Sequence, residues 1–275
     1  MLGDTSENIY LSTDYAENDR LRNKNNYAFV SSKSTGVLTL TIANIPDNIC
    51  LSPIREQNIN NFAVRAAFLS WGYLVRKAIS SYLDIDTSEL NVGFYISPLT
   101  QKAEVFFVEK LENGAGYCNY LSGRRYPNIP KEAIIRPLIK GGNIYEQLVS
   151  DDHRHGCTSS CYDCIRDYSN QQVHSLLNWR LGLDLARLAN DSNATIDFTV
   201  NYWEDYIFNV VKNTLVKQGY ENVKEEGNTL VGVDPFGERF CLIHPLWSKN
   251  YVNKLLKELG GIQKVLSAFD ITKFN

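Results

Sequence analysis

A short segment in the middle of the chain, residues 153–174, concentrates side chains that bind soft metal ions. Its 22 residues contain three of the six cysteines and three of the four histidines in the sequence. Cys161 and Cys164 form a Cys-x-x-Cys pair, a spacing that lets two thiolates bind one ion from a single turn. Cys157 lies four residues upstream and can reach the same ion. The clustering predicts one structural Zn²⁺, because a tetrahedral site needs four such ligands and enough are present to close it.

The residues alone leave the fourth ligand open. The candidates are His155, His153, His174 and the more distant Cys118. Isolated buried thiols are an alternative interpretation of the cysteines, but they would not need the neighbouring histidines. A redox-active Cys-x-x-Cys pair is a second alternative, and it lacks the strand-then-helix context of such motifs.

Composition places the chain among ordinary globular proteins. The 275 residues are 44% hydrophobic and 21% charged, which is enough for one large domain or two smaller ones with a normal core. The net charge of −3 argues against a basic surface over the whole chain. A local nucleic-acid contact remains a hypothesis for the spaced cations of one segment, Arg124, Arg125, Lys131, Arg136 and Lys140.

The sequence also predicts a cytoplasmic protein without a membrane span. It contains no apolar run of about 18 residues, the length needed to cross a bilayer. The first residues lack the charged and apolar regions of a signal peptide. Clustered rather than dispersed cysteines indicate reduced thiols that bind metal.

The hydrophobic patterns predict a mixed α/β (α+β) fold in three parts. Residues 1–33 form an extended leading segment, residues 34–192 a zinc-binding domain, and residues 193–275 a small α/β domain. Alternating apolar residues predict strands, and recurrence every three to four residues predicts helices. In the first two parts the expected strands are 36–42, 91–97 and 104–110, and the expected helices are 58–83, 119–125, 137–150 and 170–190.

The last part has the predicted order α-β-β-β-α-β. A helix over 201–218 begins with Asn201 as its cap and Glu204 three residues later. Strands 220–224, 228–233 and 239–244, a helix over 250–259 and a final strand over 265–269 follow. The order resembles a restriction-endonuclease-like core in a degenerate form. The positions that would carry its metal-binding acids and lysine fall on Asn228 and on the run Ile243-His244-Pro245.

Motifs of common enzymes are absent from the sequence. There is no phosphate-binding Gly-x-x-x-x-Gly-Lys motif, no Gly-x-Ser-x-Gly elbow and no zinc-deaminase signature. The turn Gly114-Ala115-Gly116 follows a strand and could present N–H groups to a phosphate, although a tight structural turn explains it better. We therefore expect no catalytic residues. A metal-dependent nuclease is the less favoured alternative, with four candidate acids, Glu225, Glu226, Asp234 and Glu238.

One run of the sequence resembles a known family. It begins with Cys157, Cys161, Cys164, Asn170 and His174 and continues with Leu177, Trp179, Arg180 and Asp184. It is similar to the zinc-binding C-terminal domain of MrfA-type superfamily-two helicases, in particular the version in DISARM DrmB and Druantia anti-phage proteins. The segments 83–90, 113–117 and 244–247 also fit, so that the resemblance extends from about residue 36 to residue 247.

The resemblance implies specific roles. The family pattern Cys-x-Cys-x3-Cys-x2-Cys places its first ligand on His155, so that the implied set is His155, Cys157, Cys161 and Cys164, with His153 and Cys118 as alternatives for the first position. Asn170 and His174 would orient these ligands. Because the family joins this domain to a helicase motor, the chain would be a non-catalytic accessory subunit or a split part that docks on an ATPase supplied by another chain and helps to guide DNA. A protein-interaction scaffold without nucleic-acid contact is the alternative.

Overall fold

The computed structural model describes residues 34–52 and 61–271, and the predicted leading segment 1–33 lies outside them. The first sheet contains β1 (Val37–Leu40), β2 (Leu90–Ile96) and β3 (Ala103–Glu109) in the antiparallel order β1-β3-β2. Strand β3 alternates buried and half-buried residues, so one face of the sheet packs on the core. All three strands were predicted within about two residues of these limits at either end.

Helix α1 (Asn61–Leu83) crosses the inner face of this sheet and is mostly buried along its length. It also packs against α5 (Trp179–Asn190). A Cβ atom at Gly182 would lie 3.0 Å from the backbone of Ser70, so the missing side chain lets the two helices approach closely. These two helices form the core against which the residues between them are arranged.

Short helical segments fill the interval between the first sheet and α5. Their bounds are α2 (Tyr117–Leu121), a π-helical turn (Lys131–Ile135), a 3₁₀ turn (Arg136–Leu138), α3 (Asn143–Val149), α4 (Asp151–Gly156) and a 3₁₀ segment (Tyr168–Leu176). The predicted single helix over 170–190 is wrong, because the chain leaves helical geometry at Leu177 and Asn178. The Asn178 side chain accepts hydrogen bonds from the N–H groups of Arg180 and Leu181, and thereby starts α5 as a separate helix.

The C-terminal part follows the predicted order of elements. It contains α6 (Asn201–Asp205), a π-helical segment (Tyr206–Val211), α7 (Lys212–Lys217), β4 (Glu221–Glu226), β5 (Thr229–Val233), β6 (Arg239–Ile243), α8 (Lys249–Leu259), β7 (Lys264–Ser267) and α9 (Ala268–Ile271). The sheet order is β4-β5-β6-β7, in which only the β6–β7 pair is parallel because α8 connects them. The mixed α/β class is therefore confirmed.

Two local predictions in this part differ from the structure. Val200, not Asn201, occupies the cap position of α6, and the Asn201 side chain accepts a hydrogen bond from the Tyr145 hydroxyl instead. The final strand ends at Ser267, and the predicted last two residues begin α9.

Contacts cross the boundary predicted near residue 192. Ile49 forms a bridge with Trp247, whose indole N–H donates to the carbonyl of Ile196. The division into three domains stays a prediction. Within the part of the chain that the structure describes, no helix combines the length and the apolar character that crossing a membrane requires.

Candidate metal centre

The zinc knuckle, residues 153–164, begins on α4 and continues through the loop that follows it. The Ser150 side chain accepts a hydrogen bond from the His153 N–H and starts the helix. Cys157 leaves helical geometry, and the chain turns back so that the N–H groups of Cys164 and Ile165 both donate to the carbonyl of Cys161. Helix and turn therefore direct their side chains toward one point.

Four donor atoms meet at that point, those of His153, Cys157, Cys161 and Cys164, all within 4.8 Å of one another. The Cys157 and Cys164 sulfurs are 3.9 Å apart, and those of Cys161 and Cys164 are 3.5 Å apart. Zn–S bonds of about 2.3 Å in a tetrahedral site would place sulfurs about 3.8 Å apart. Three thiolates and an imidazole are also the donor types that zinc prefers. The cluster therefore fits one structural zinc.

His153 presents the correct nitrogen to this cluster. Its Nδ1 lies 2.9 Å from the carbonyl of Leu148, which accepts only if Nδ1 carries the proton. The free lone pair is then on Nε2, which lies 3.5 Å from the Cys161 sulfur. A backbone carbonyl that fixes the ring in this way is a common arrangement around metal-binding histidines.

The other three candidates for the fourth ligand lie elsewhere. His155, which the resemblance favoured, is exposed, and its Nε2 lies 3.4 Å from a carboxylate oxygen of Asp205. Both histidines stand close to the loop, but positions two residues apart on a helix point about 160° away from each other, so only one of them faces the thiols. Cys118 is buried on α2 beside the carbonyl of Phe107, and His174 contacts Asn170. The structure thus departs from the expected His155.

The thiols influence one another electrostatically. The hydrogen bond from Cys157 lowers the pKa of Cys164 to about 4, against the opposing effect of burial. The same hydrogen bond, together with burial, raises the pKa of Cys157, and burial raises that of Cys161. One thiolate therefore forms readily, whereas further thiolates need a compensating positive charge. A divalent cation supplies that charge and displaces the remaining protons.

Helices α1 and α5 fix the backbone of the knuckle. The Trp179 indole N–H donates to the carbonyl of Cys157, and its ring packs edge-on against His153. Arg180, fully buried, donates to the carbonyl of Thr158 and stacks on Trp179. From α1, Lys77 donates to the carbonyl of Asp163 at 2.7 Å.

Asn170 and His174 hold the segment that leaves the knuckle. Asn170 is buried, donates to the carbonyl of Ile165 and accepts from the N–H of Asp167. His174 Nε2 lies 2.7 Å from the same amide oxygen of Asn170. Asp167 in turn pairs with Arg76 of α1. The two predicted orienting residues thus act on the chain just after Cys164, and their influence on the ligands stays a prediction.

A carboxylate of the protein occupies the turn Gly114-Ala115-Gly116, which the sequence analysis considered as a possible phosphate-binding turn. Glu109, at the end of β3, is 1% exposed and accepts hydrogen bonds from the N–H groups of Ala115, Gly116 and Cys118. These are the donors that a phosphate would need. The structural interpretation of the turn therefore holds, and we refer to it as the Glu109 turn.

The buried carboxylate Asp184 is a residue to which the sequence analysis assigned no role. Asp184 and Arg180 are spaced like an exposed ion pair on a helix, but both side chains are fully buried. Asp184 instead accepts hydrogen bonds from the Tyr202 hydroxyl and the Trp203 indole, and its other contact is His244 at 3.2 Å. The partners of Asp184, Tyr202 and Trp203, lie on a later helix, so no spacing of residues within α5 could predict these hydrogen bonds.

The remaining predicted site residues lie apart from the knuckle. The five cations Arg124, Arg125, Lys131, Arg136 and Lys140 are all exposed, and Arg136 pairs with Glu132. Of the nuclease candidates, Asp234 pairs with Lys264 and Glu226 with Arg239. Among residues 34–52 and 61–271, the knuckle is the one group of three or more His, Cys, Asp or Glu side chains placed to hold a metal.

Comparison with known proteins supports the same interpretation. Residues 71–165 match the family described as MrfA Zn-binding domain. The Druantia protein DruE of Escherichia coli (strain UMEA 4076-1) is 30% identical over 111 residues, which are 39% of this chain and 5% of DruE. The chain therefore spans a small fraction of that relative's length. No solved structure matches significantly. The matched range ends one residue after Cys164 and includes all four donors, so this part of the chain is similar to the MrfA Zn-binding domain, as the resemblance predicted.

Proposed function

We propose that the chain is a non-catalytic, zinc-stabilised accessory unit of a DNA helicase or translocase complex in bacterial anti-phage defence. It docks on an ATPase supplied by another chain and helps to guide DNA. The observation that carries this proposal is the four-donor cluster inside the range similar to the MrfA Zn-binding domain. The match to part of DruE supports the assignment to defence.

The proposed ligands are His153 Nε2 and the sulfurs of Cys157, Cys161 and Cys164. Four protein ligands fill a tetrahedral shell, whereas catalytic zinc keeps one position for water or substrate. The surrounding contacts are with backbone carbonyls and ring edges, which position the loop. Zinc in this centre therefore holds the knuckle on α1 and α5 rather than activating water.

Affinity purification of the tagged full chain from a host that encodes its natural partners tests the proposal. Mass spectrometry of co-purified proteins and metal analysis of the eluate are expected to show an ATPase and about one zinc per chain. The Cys164→Ser variant removes one proposed ligand and should lose the zinc. The His155→Ala variant leaves all proposed ligands in place and is its matched control. Zinc without an ATPase would instead support a free-standing binding module. A metal-free wild type would overturn the metal centre.

Incubation of the purified chain with DNA and Mg²⁺ or Mn²⁺ tests the non-catalytic role. Intact DNA is expected, because the acids Asp234 and Glu226 are held by separate cations and do not share a metal position. Cleavage that disappears in an Asp234→Asn variant would replace the accessory role by that of a nuclease.

A further inference from the structure

Three exposed tyrosines lie together beside α2. The exposed fractions are 42% for Tyr82, 38% for Tyr120 and 48% for Tyr126. The rings of Tyr120 and Tyr126 meet edge to face with centroids 5.8 Å apart. The Tyr82 hydroxyl shares a hydrogen bond with Tyr120 that raises the pKa of Tyr82. Three polarisable rings thus share one patch of surface at the end of α1.

The backbone holds these rings in place. Gly123 has a φ of +72°, and a Cβ atom there would lie 2.7 Å from the Pro130 side chain. The loop between α2 and the π-helical turn therefore folds back tightly, which brings Tyr126 against Tyr120. The N–H of Ile129 donates to the carbonyl of Tyr126 at 3.0 Å and closes the loop.

The same segment is strongly cationic. Residues 117–142 contain five lysines and arginines and a single acid, Glu132, which pairs with Arg136. Arg124 and Arg125 are exposed, and the Arg125 guanidinium lies 5.7 Å from the centre of the Tyr126 ring. This local charge contrasts with a net charge of −3 for the whole chain.

We propose that this tyrosine–arginine surface, formed by Tyr82, Tyr120, Tyr126, Arg124 and Arg125, binds single-stranded nucleic acid. Bases stack on the Tyr120 and Tyr126 rings, and the two arginines contact the phosphates between them. The inference deepens the proposed function, because it names the form of DNA that an accessory unit would guide. Unpaired bases expose the faces that stack on tyrosine, whereas a duplex offers mainly its phosphates.

Fluorescence anisotropy tests the proposal, with the purified full chain and a labelled oligothymidylate of about 12 nucleotides. This length lies within the common site sizes of single-strand binding proteins. A blunt duplex of equal length is the comparison. We expect tighter binding of the single strand, and a loss of about ten-fold or more in Tyr126→Leu, the range seen when one stacking ring is removed. Tyr126→Phe keeps the ring and should bind like the wild type.

Two matched variants separate this surface from general effects. Tyr95→Leu removes a tyrosine that is also 38% exposed and also lies edge-on to an aromatic ring, but on the first sheet. Arg124→Ala with Arg125→Ala should lower the slope of log affinity against log salt by about 1.4, because each single-strand phosphate contact contributes about 0.7. Lys254→Ala with Lys257→Ala removes the same charge from α8 and should leave that slope unchanged.

Absence of oligothymidylate binding at low salt, or equal losses in Tyr126→Leu and Tyr95→Leu, would overturn the proposal. A Tyr126→Leu variant that binds the oligonucleotide normally but loses a co-purified protein would assign the surface to protein docking instead. These outcomes are independent of whether an ATPase co-purifies with the chain. Failure of the surface and failure of the accessory role are therefore distinguishable.

Discussion

The zinc knuckle and the Glu109 turn are both irregular loops held by a charged group, but the two charges are opposite. In each, an irregular loop folds around a charged group. The Glu109 turn lies at the end of the first sheet, and the knuckle lies against α1 and α5. In the knuckle, four side chains converge on a position that fits a cation. In the Glu109 turn, three backbone N–H groups converge on an anionic side chain of the protein itself. Asp184 forms a third centre of the second kind, with a phenol and an indole as donors.

The difference lies in what each centre requires from outside the chain. The two carboxylate centres are complete once the chain folds, because their donors and acceptors are covalently part of it. The knuckle requires an ion, and zinc binding to such a site is coupled to folding. Changes of metal, ligand or pH should therefore affect the two kinds of centre differently.

The largest effect is expected for Cys164→Ser. Loss of a central thiolate should release the zinc and destabilise the protein by more than about 4 kcal/mol, since removal of a structural metal is among the most damaging single changes. Metal analysis and thermal unfolding measure both consequences. Cys50→Ser, a half-buried thiol outside the knuckle, is the control and should retain its zinc. A Cys164→Ser protein with unchanged melting would contradict a structural role for the metal.

The next effect distinguishes the two neighbouring histidines. His153→Ala should weaken zinc binding by about a hundred-fold or more, because it removes a direct ligand and even indirect partners of metal ligands cost 10–100-fold. His155→Ala should leave affinity unchanged, since that ring faces Asp205. Competition with a colorimetric chelator measures both constants. The reverse order of effects would restore the ligand set that the family pattern implied.

A third variant acts on the hydrogen-bonded core and not on the metal. Asp184→Ala leaves the Tyr202 hydroxyl and the Trp203 indole N–H buried without their acceptor. We expect a loss of about 3 kcal/mol, typical of breaking a buried charged network, with the zinc content unchanged. Urea unfolding combined with metal analysis checks both. Loss of zinc together with stability would show that the two centres are coupled through α5.

The contrast also explains which parts the sequence could predict. The knuckle could be predicted because cysteines and histidines are scarce and their spacing is informative. Strands β5 and β6 could be predicted because each is a short apolar run. The position of His153, rather than His155, beside the thiols depends on the carbonyl of Leu148 and on the direction of α4, which spacing in sequence does not encode. The family pattern placed its first ligand on His155 for the same reason.

The carboxylate centres could not be predicted from the residues around them. Glu109 and Asp184 are common acids, and each acquires its role only when a later segment folds against it. Asp184 lies 18 residues before its partner Tyr202, and the donors to Asp184 stand on a different helix. Similarly, the break at Asn178 depends on a hydrogen bond from its N–H to Ser70, a residue of α1 that is 108 positions away.

The smallest effect, and the one that depends on pH, is expected at the Glu109 turn. Burial raises the pKa of the Glu109 carboxyl, but the backbone N–H groups of Cys118, Ala115 and Gly116 together leave it below the usual range. A carboxyl with a lowered pKa in the folded protein stabilises it above the pKa of the unfolded chain, about 4.3 for glutamate. This stabilisation is lost as the pH falls through the lower value in the folded protein.

Glu109→Gln places an uncharged amide against the same donors and should cost about 2 kcal/mol at pH 7. The difference in unfolding free energy between the wild type and this variant should shrink in acid, because the variant has no charge to lose at this position. Glu112→Gln, at an exposed position three residues after Glu109, supplies the control for a general change in charge. A difference that stays constant from neutral to acid pH would mean that geometry alone, and not the negative charge, holds the turn.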